Sequence, residues 1–166
     1  PILPLVTDTE IAKECMGWAE LPKRFTHPED AKWHVKNAIN TYSKHFGIKP
    51  LGMWPAQGSV GENVLDIFIE NNIKWIATDE EILLRSLKIG KSFRSYRPYL
   101  LERKSGAISM LFRDRVLSDL IGFTYQRWDP RDAVADFINR LNKIKDGLKK
   151  EGITNGLVPI ILDGEN

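Results

Sequence analysis

The sequence predicts an α/β fold built around a parallel sheet. Helical and strand-like patterns alternate along the chain, and the strand-like runs are apolar throughout instead of alternating with polar residues. Strands that are apolar on both faces are typical of parallel sheets covered by helices. At 166 residues, 42% of them hydrophobic, the chain is long enough for one domain with a substantial core.

Composition excludes several function classes. The 24 basic and 22 acidic residues leave a net charge of +2, which predicts no nucleic-acid-binding face. The single Cys15 excludes an internal disulfide and a multi-cysteine metal site. No apolar run reaches the roughly 20 residues of a membrane span. We therefore expect a cytoplasmic protein without a nucleic-acid or membrane partner, and the sequence does not indicate its oligomeric state.

Both ends of the chain suggest a fragment of a larger protein. The chain begins inside an apolar run without Met, and it stops directly after a predicted strand. We expect residues 1–166 to be part of one catalytic domain that is truncated at both ends.

The first elements are predicted to be a strand followed by a helix. Residues 2–6 are apolar and predict a short buried strand, with Pro4 placing it at a sheet edge. Residues 7–16 predict a helix capped by Thr7 or Asp8, and a loop follows from residue 17 to 25.

The next helix has a clear start and end. Thr26 and Glu29 have capping-box spacing, Pro28 suits a first helical turn, and Gly47 suits the end. The apolar stripe has helical spacing and comprises Ala31, Val35, Ala38, Ile39 and Tyr42.

A strand and a second well-marked helix follow. Residues 48–54 predict an irregular strand, and Ser59 with Glu62 forms a second capping box. Asn71 and Asn72 predict the helix end, because Asn tolerates a left-handed conformation. The predicted buried stripe consists of Val60, Val64, Ile67 and Phe68.

The middle of the chain predicts a strand, a short helix and a hairpin. Residues 73–77 form the strand, and Thr78 or Asp79 caps the helix after it. Residues 99–102 and 108–112 are expected to pair as a hairpin.

The last third predicts two helices and a strand. Residues 116–123 are helical in pattern, and Asp129 caps the longest helix, which Gly152 ends. Residues 157–162 predict a final buried strand. The stripe of the longest helix consists of Val134, Phe137, Ile138, Leu141, Ile144 and Leu148.

Polar groups follow four of the predicted strands. Because the carboxyl ends of parallel strands meet at one edge of a sheet, we expect these side chains to line one site. They are Trp54 and Gln57, Thr78 with Asp79 and Glu80, Arg113 with Asp114, and Asp163 with Glu165.

Each of these residues also has a structural interpretation. Ser59 and Thr78 are more simply helix caps, and Arg113 with Asp114 is equally well a structural ion pair. Trp54 is either a core residue or a platform for sugar stacking. Asp163 favours function, because it ends a strand and Gly164 leaves room for a ligand.

The sequence predicts no metal and no cofactor. His27, His34 and His45 lack ligand spacing with Cys, Asp or Glu. Gly52, Gly58 and Gly61 do not form a phosphate-binding loop, and no nucleophile elbow of the G-x-S-x-G type is present.

Several spaced segments resemble one enzyme family. They are residues 3–5 (LPL), 27–31 (HPEDA), 46–55 (FGIKPLGMWP), 75–80 (WIATDE), 112–114 (FRD) and 162–166 (LDGEN). Together they resemble family 57 glycoside hydrolases, which include α-amylases, amylopullulanases, 4-α-glucanotransferases and branching enzymes. The resemblance covers essentially the whole chain and does not single out one activity.

The resemblance implies an incomplete seven-stranded (β/α) barrel and a retaining mechanism on an α-glucan or maltooligosaccharide. That mechanism needs two carboxyl groups about 5–5.5 Å apart. The resemblance places the acid/base at Asp163 and the nucleophile in the turn after Trp54. Trp54, Asp79, Glu80, Arg113, Asp114 and Glu165, which follow the predicted strands, are expected to contact substrate.

The sequence departs from the family at the nucleophile. Gln57 stands where a Glu is expected, and an amide is a very poor nucleophile. One interpretation is a deliberate substitution that traps substrate, and a second is a natural member that binds sugar without turning it over. In a third, Asp79, Glu80 or Asp114 attacks instead. The family's N-terminal His-containing motif is also missing.

Two classes of function therefore remain at the sequence level. One is a retaining glycoside hydrolase or transglycosylase, and the other is an inactive carbohydrate-binding protein on the same barrel. Polysaccharide deacetylases share a similar incomplete barrel, but the metal triad that they need is not found in this sequence.

Overall fold

The computed structural model describes residues 1–15, 20–21, 23–90 and 93–163, without the side chain of Cys15. The chain forms two compact units. The first contains Pro1–Thr78 and Tyr99–Met110, and the second contains Asp79–Pro98 and Leu111–Asn166.

The first unit begins with two short helices, α1 (Leu3–Thr7) and α2 (Thr9–Cys15). The strand predicted over residues 2–6 is therefore wrong. Pro4 lies in the first turn of α1, where its fixed φ suits a helix and its missing N–H removes no helical bond. Asp8 caps α2 as predicted, since its Oδ1 accepts the N–H of Glu10 at 3.0 Å.

The predicted loop over residues 17–25 falls partly outside the described residues, as does the predicted helix end at residue 16. The described residues of that stretch lie in neither helix nor strand. Within it, Arg24 Nη2 lies 2.6 Å from Asp8 Oδ2 and ties the loop to the cap of α2.

Helix α3 (Pro28–Phe46) is the longest element of the first unit. Its predicted capping box is wrong, because His27 is the N-cap residue and makes no side-chain bond to the helix backbone. Ala31 and Val35 are buried, whereas the later stripe residue Tyr42 is exposed. The helix ends as predicted at Gly47, which has a φ of 72°.

The strand predicted over residues 48–54 is much shorter in the structure, where β1 comprises only Gly52–Met53. Helix α4 (Glu62–Glu70) follows it. The second capping box is also wrong, because α4 is capped by Gly61. The predicted end is confirmed, since Asn72 is left-handed with a φ of 62°. The predicted stripe residues Val64, Ile67 and Phe68 are buried.

The described strands form a mixed sheet in the order β1-β2-β4-β3, with β2 at Trp75–Asp79, β3 at Tyr99–Arg103 and β4 at Gly106–Arg113. Strands β1 and β2 are parallel. Strands β3 and β4 are antiparallel, which confirms the predicted hairpin. The α/β class is confirmed, although the sheet is not wholly parallel, and the barrel stays a prediction.

Three helices of the second unit have Asp at their N-caps. They are α5 (Glu80–Leu87), α6 (Arg115–Asp119) and α7 (Pro130–Lys150). As predicted, Asp79 caps α5 and Asp129 caps α7, because each carboxylate accepts a backbone N–H of the first turn. Helix α6 continues into a π-helical turn over Leu120–Thr124, so the helix predicted over residues 116–123 is confirmed.

The strand predicted over residues 157–162 is wrong. The segment forms no strand and is only half buried. Its backbone bonds go to scattered partners instead of one neighbouring strand. The N–H of Leu157 donates to the Tyr96 carbonyl at 2.9 Å, and the N–H of Asp114 donates to the Pro159 carbonyl at 2.9 Å.

No helix in the described part of the chain is long and apolar enough to cross a membrane.

Candidate functional site

The turn after β1 presents Gln57 in a strained conformation. Ala56–Gly58 form a single 3₁₀ turn, in which Gln57 has φ 58° and ψ 21°. Left-handed backbone is uncommon for residues other than Gly, Asn and Asp, and it persists only where the surroundings enforce it. The side chain of Gln57 is exposed. The turn therefore holds this side chain toward solvent at a local energetic cost.

Gly58 and its neighbours enforce that conformation. Gly58 has a φ of 62°, and a Cβ on it would lie 2.9 Å from Cη2 of Trp54. Its N–H donates to the Pro55 carbonyl at 2.8 Å. Its carbonyl accepts a bond of 2.5 Å from the hydroxyl of Thr78, which is fully buried on β2. The half-buried Trp54 thus packs one part of its indole against the turn itself.

The two predicted caps near this turn act differently from the prediction. Thr78 bonds the carbonyl of Gly58, and Asp79 is the residue that caps α5. The hydroxyl of Ser59 donates to the Ala56 carbonyl at 2.7 Å and so belongs to the turn.

Arg113, at the end of β4, holds three groups of the second unit. Its Nη2 donates to Asp119 Oδ1 at 2.6 Å, and its Nη1 lies 3.7 Å from Asp79 Oδ2. Its Nε donates to the Ile161 carbonyl at 2.9 Å. The side chain is only 15% exposed. The ion-pair partners of Arg113 are therefore Asp119 and Asp79, and not the neighbouring Asp114.

Asp114 is a buried carboxylate with both oxygens in hydrogen bonds. Oδ1 accepts the N–H of Leu117 at 2.8 Å and caps α6, and Oδ2 accepts the Tyr96 hydroxyl at 2.6 Å. Burial and this bond to the carboxylate both raise the pKa of Tyr96 above its ordinary value, with burial the larger cause. The nearby charge of Glu80 acts in the same direction.

The remaining candidates differ in exposure. Glu80 is buried in the first turn of α5, whereas Asp163 is exposed two residues beyond the anchored Ile161. Glu165 lies outside the described residues. The second unit thus brings together Asp79, Arg113 and the segment that leads to Asp163. The pairing of Gln57 with Asp163 stays a prediction.

Among the described residues there is no group of three or more His, Cys, Asp or Glu side chains that could hold a metal ion.

The comparison with protein families decides the identity of this scaffold. The family described as glycosyl hydrolase family 57 matches residues 1–166, the whole chain. The chain belongs to glycosyl hydrolase family 57. A search of curated proteins found no match. The resemblance seen in the sequence is confirmed, and membership indicates a carbohydrate substrate and glycoside hydrolase or transglycosylase activity.

Two residues that hold the second unit together, Tyr96 and Ser118, are not predicted as site residues from the sequence of this family 57 chain. Tyr96 lies in a predicted loop without periodicity. Ser118 is fully buried and lies inside a helix whose pattern gives no sign of its contacts.

We expect Gly58→Ala to destabilise the protein more than Gly47→Ala. Both glycines have positive φ, but a Cβ at Gly47 meets nothing within 4 Å, whereas one at Gly58 meets the Trp54 indole. The expected loss is about 1 kcal/mol for Gly47→Ala and at least about 2 kcal/mol for Gly58→Ala, measured by urea unfolding. Equal losses would contradict the role of Trp54 in holding the turn.

We expect Tyr96→Phe to destabilise the protein by about 1–3 kcal/mol at pH 7, because Asp114 loses its buried donor. The difference should shrink at high pH. Above about pH 10 the unfolded tyrosine ionises while the folded one stays protonated, so the unmodified protein loses about 1.4 kcal/mol per pH unit through Tyr96.

Urea unfolding between pH 7 and 11 measures both effects. The matched control is Tyr42→Phe at an exposed tyrosine, which should change stability by less than about 0.5 kcal/mol at every pH. A gap between Tyr96→Phe and the unmodified protein that stays constant above pH 10 would contradict the raised pKa.

Proposed function

We propose that this chain carries the scaffold of a retaining glycosidase or transglycosylase acting on α-glucans. Gln57 occupies the position of the nucleophile, and Asp163 is the acid/base. The observation that carries this proposal is the turn at Gln57. It holds an exposed side chain in left-handed backbone directly after a strand of a family 57 chain. Strain of this kind is concentrated at functional positions.

A carboxylate at position 57 would attack the anomeric carbon and form a glycosyl–enzyme bond. As the glycosidic bond breaks, Asp163 would give its proton to the leaving oxygen. Asp163, now a carboxylate, would then remove a proton from water or from an acceptor sugar. The oxygen of that water or acceptor would attack the anomeric carbon, and the bond between the sugar and residue 57 would break. An amide oxygen carries no negative charge, so the chain with Gln57 stops before the first covalent bond.

The other carboxylates considered at the nucleophile position are poorly suited to replace it. Both oxygens of Asp114 are in hydrogen bonds within a buried site. Asp79 caps α5 and lies beside Arg113, and Glu80 is buried. A nucleophile needs an accessible lone pair, so we assign no attack to these groups.

We assign substrate contacts within the same proposal. Trp54 is only half buried and its indole packs against Gly58, the residue after Gln57, and aromatic faces are suited to sugar rings. Asp79, Glu80, Arg113, Asp114 and Glu165 complete the proposed set. The contacts of Arg113 and Asp114 favour an indirect role for these two, because they hold other parts of the second unit in place.

A second candidate function is carbohydrate binding without turnover. The observation that favours it is Gln57 itself. Gln has nearly the shape of Glu and keeps hydrogen-bonding atoms, so the turn retains its form while losing the charge that attacks sugar.

We expect Gln57→Glu to raise hydrolysis or transfer on maltooligosaccharides by at least about 10³-fold, because loss of a nucleophile costs several orders of magnitude in rate. Product release is measured by chromatography, and NMR of the first product reports the anomeric configuration, which should be retained. The control is Gln57→Glu combined with Asp163→Ala, which should return to the starting rate. No rise with Gln57→Glu would contradict the nucleophile assignment.

We expect the unmodified chain to bind maltoheptaose without cleaving it. Calorimetric titration with Trp54→Ala should show affinity reduced by about tenfold, equal to about 1.4 kcal/mol, because the sugar loses its stacking partner. Trp128→Ala removes another exposed indole and should leave affinity unchanged. Unfolding of each variant is measured in parallel, and equal affinity in all three proteins would exclude Trp54 as the platform.

A further inference from the structure

The peptide of Ile161 is held on both sides by side chains. Its N–H donates to the hydroxyl of Ser118 at 3.2 Å, and its carbonyl accepts the Nε–H of Arg113 at 2.9 Å. The carbonyl of Pro159, two residues earlier, accepts the N–H of Asp114. Arg113, Asp114 and Ser118 thus supply the hydrogen bonds that a neighbouring strand would supply to this segment in a sheet.

Ser118 and Arg113 form a clamp on the Ile161 peptide, and each of the two side chains is also held by a second hydrogen bond. The Ser118 hydroxyl is fully buried and donates to the Asp114 carbonyl at 2.6 Å, so a lone pair is left to accept the Ile161 N–H. The guanidinium of Arg113 is tied to Asp119 at 2.6 Å. Because their other bonds fix their geometry, the two groups define the position of the Ile161 peptide.

We propose that Arg113 and Ser118 are positioning residues for Asp163. This inference rests on the proposed function, in which Asp163 is the acid/base. Asp163 follows Ile161 by two residues, a distance that a chain spans with at most about 7 Å. Among the described residues, the peptide of Ile161 is the last before this exposed carboxylate for which bonds to the rest of the unit are seen, and Ser118 and Arg113 hold it.

The reaction is sensitive to this placement. A general acid must lie within about 2.6–3.2 Å of the oxygen that it protonates. A displacement of about 1 Å is enough to lower a rate by about 10²-fold. In the described part of the chain this segment has no neighbouring strand, so loosening Ile161 should act on proton transfer.

The test is Ser118→Ala in the protein that carries Gln57→Glu. Two substrates separate a misplaced acid from a general loss of structure. Maltooligosaccharides have a poor leaving group that needs a proton, whereas α-maltosyl fluoride has a leaving group that departs without one. The ratio kcat/KM reports the first, bond-breaking step for both substrates.

We expect Ser118→Ala to lower kcat/KM for maltotetraose by about 10- to 100-fold and for the fluoride by less than about threefold. Asp163→Ala should give the same pattern with a larger loss. Arg113→Lys, which keeps the charge but lacks the Nε–H, should also follow it. The matched control is Ser43→Ala, because the Ser43 hydroxyl also bonds the carbonyl four residues earlier, at 2.8 Å, and should change neither substrate.

Hydrogen exchange provides the second readout. The amide of Ile161 should exchange faster in Ser118→Ala than in Ser43→Ala, while circular dichroism stays unchanged. Equal losses on both substrates, or unchanged exchange at Ile161, would overturn the positioning role while leaving the proposed function intact.

A different result would overturn the proposed function itself. If Gln57→Glu cleaves neither substrate although Ser118→Ala speeds exchange at Ile161, the clamp holds a surface segment without an acid/base. That result overturns the proposed function and the positioning role together.

Discussion

The second unit depends on the contacts that the Arg113 guanidinium makes with two carboxylates and a backbone carbonyl. Arg113 stands at the end of β4 and reaches Asp119 at the end of α6, Asp79 at the cap of α5, and the carbonyl of Ile161. Its planar fork of donors can hold carboxylates and a carbonyl at the same time, which an ammonium group cannot do with the same geometry. The segment that leads to Asp163 therefore takes part of its position from this side chain, together with the bonds that Ser118 and Asp114 make to Ile161 and Pro159.

A different constraint acts on the turn of Gln57. Gly58 can adopt positive φ and lets the Trp54 indole approach, while the hydroxyl of Thr78 fixes the Gly58 carbonyl. These contacts maintain the left-handed backbone of Gln57 whatever its side chain carries. The shape of this turn is thus separable from the charge of residue 57, which is why the turn can persist with an amide at that position.

Much of the secondary structure could be predicted, since it depends on local chemistry. Asp8, Asp79 and Asp129 cap helices as expected because each carboxylate reaches an N–H two residues on. The capping boxes failed where another local bond competed, as when the Ser59 hydroxyl bonds the Ala56 carbonyl. Apolar composition alone misled at residues 2–6, where a proline starts a helix.

The sequence by itself determined the family, the long helices and their ends, and the amide at position 57, because these depend on residue identity and short spacing. Only the tertiary structure decided which polar groups meet. The bond from Thr78 to Gly58 joins residues 20 apart, and those from Arg113 and Ser118 to Ile161 join residues 48 and 43 apart. Contacts at such separations follow no helical or strand period, so they arise only when the folded chain brings their atoms together.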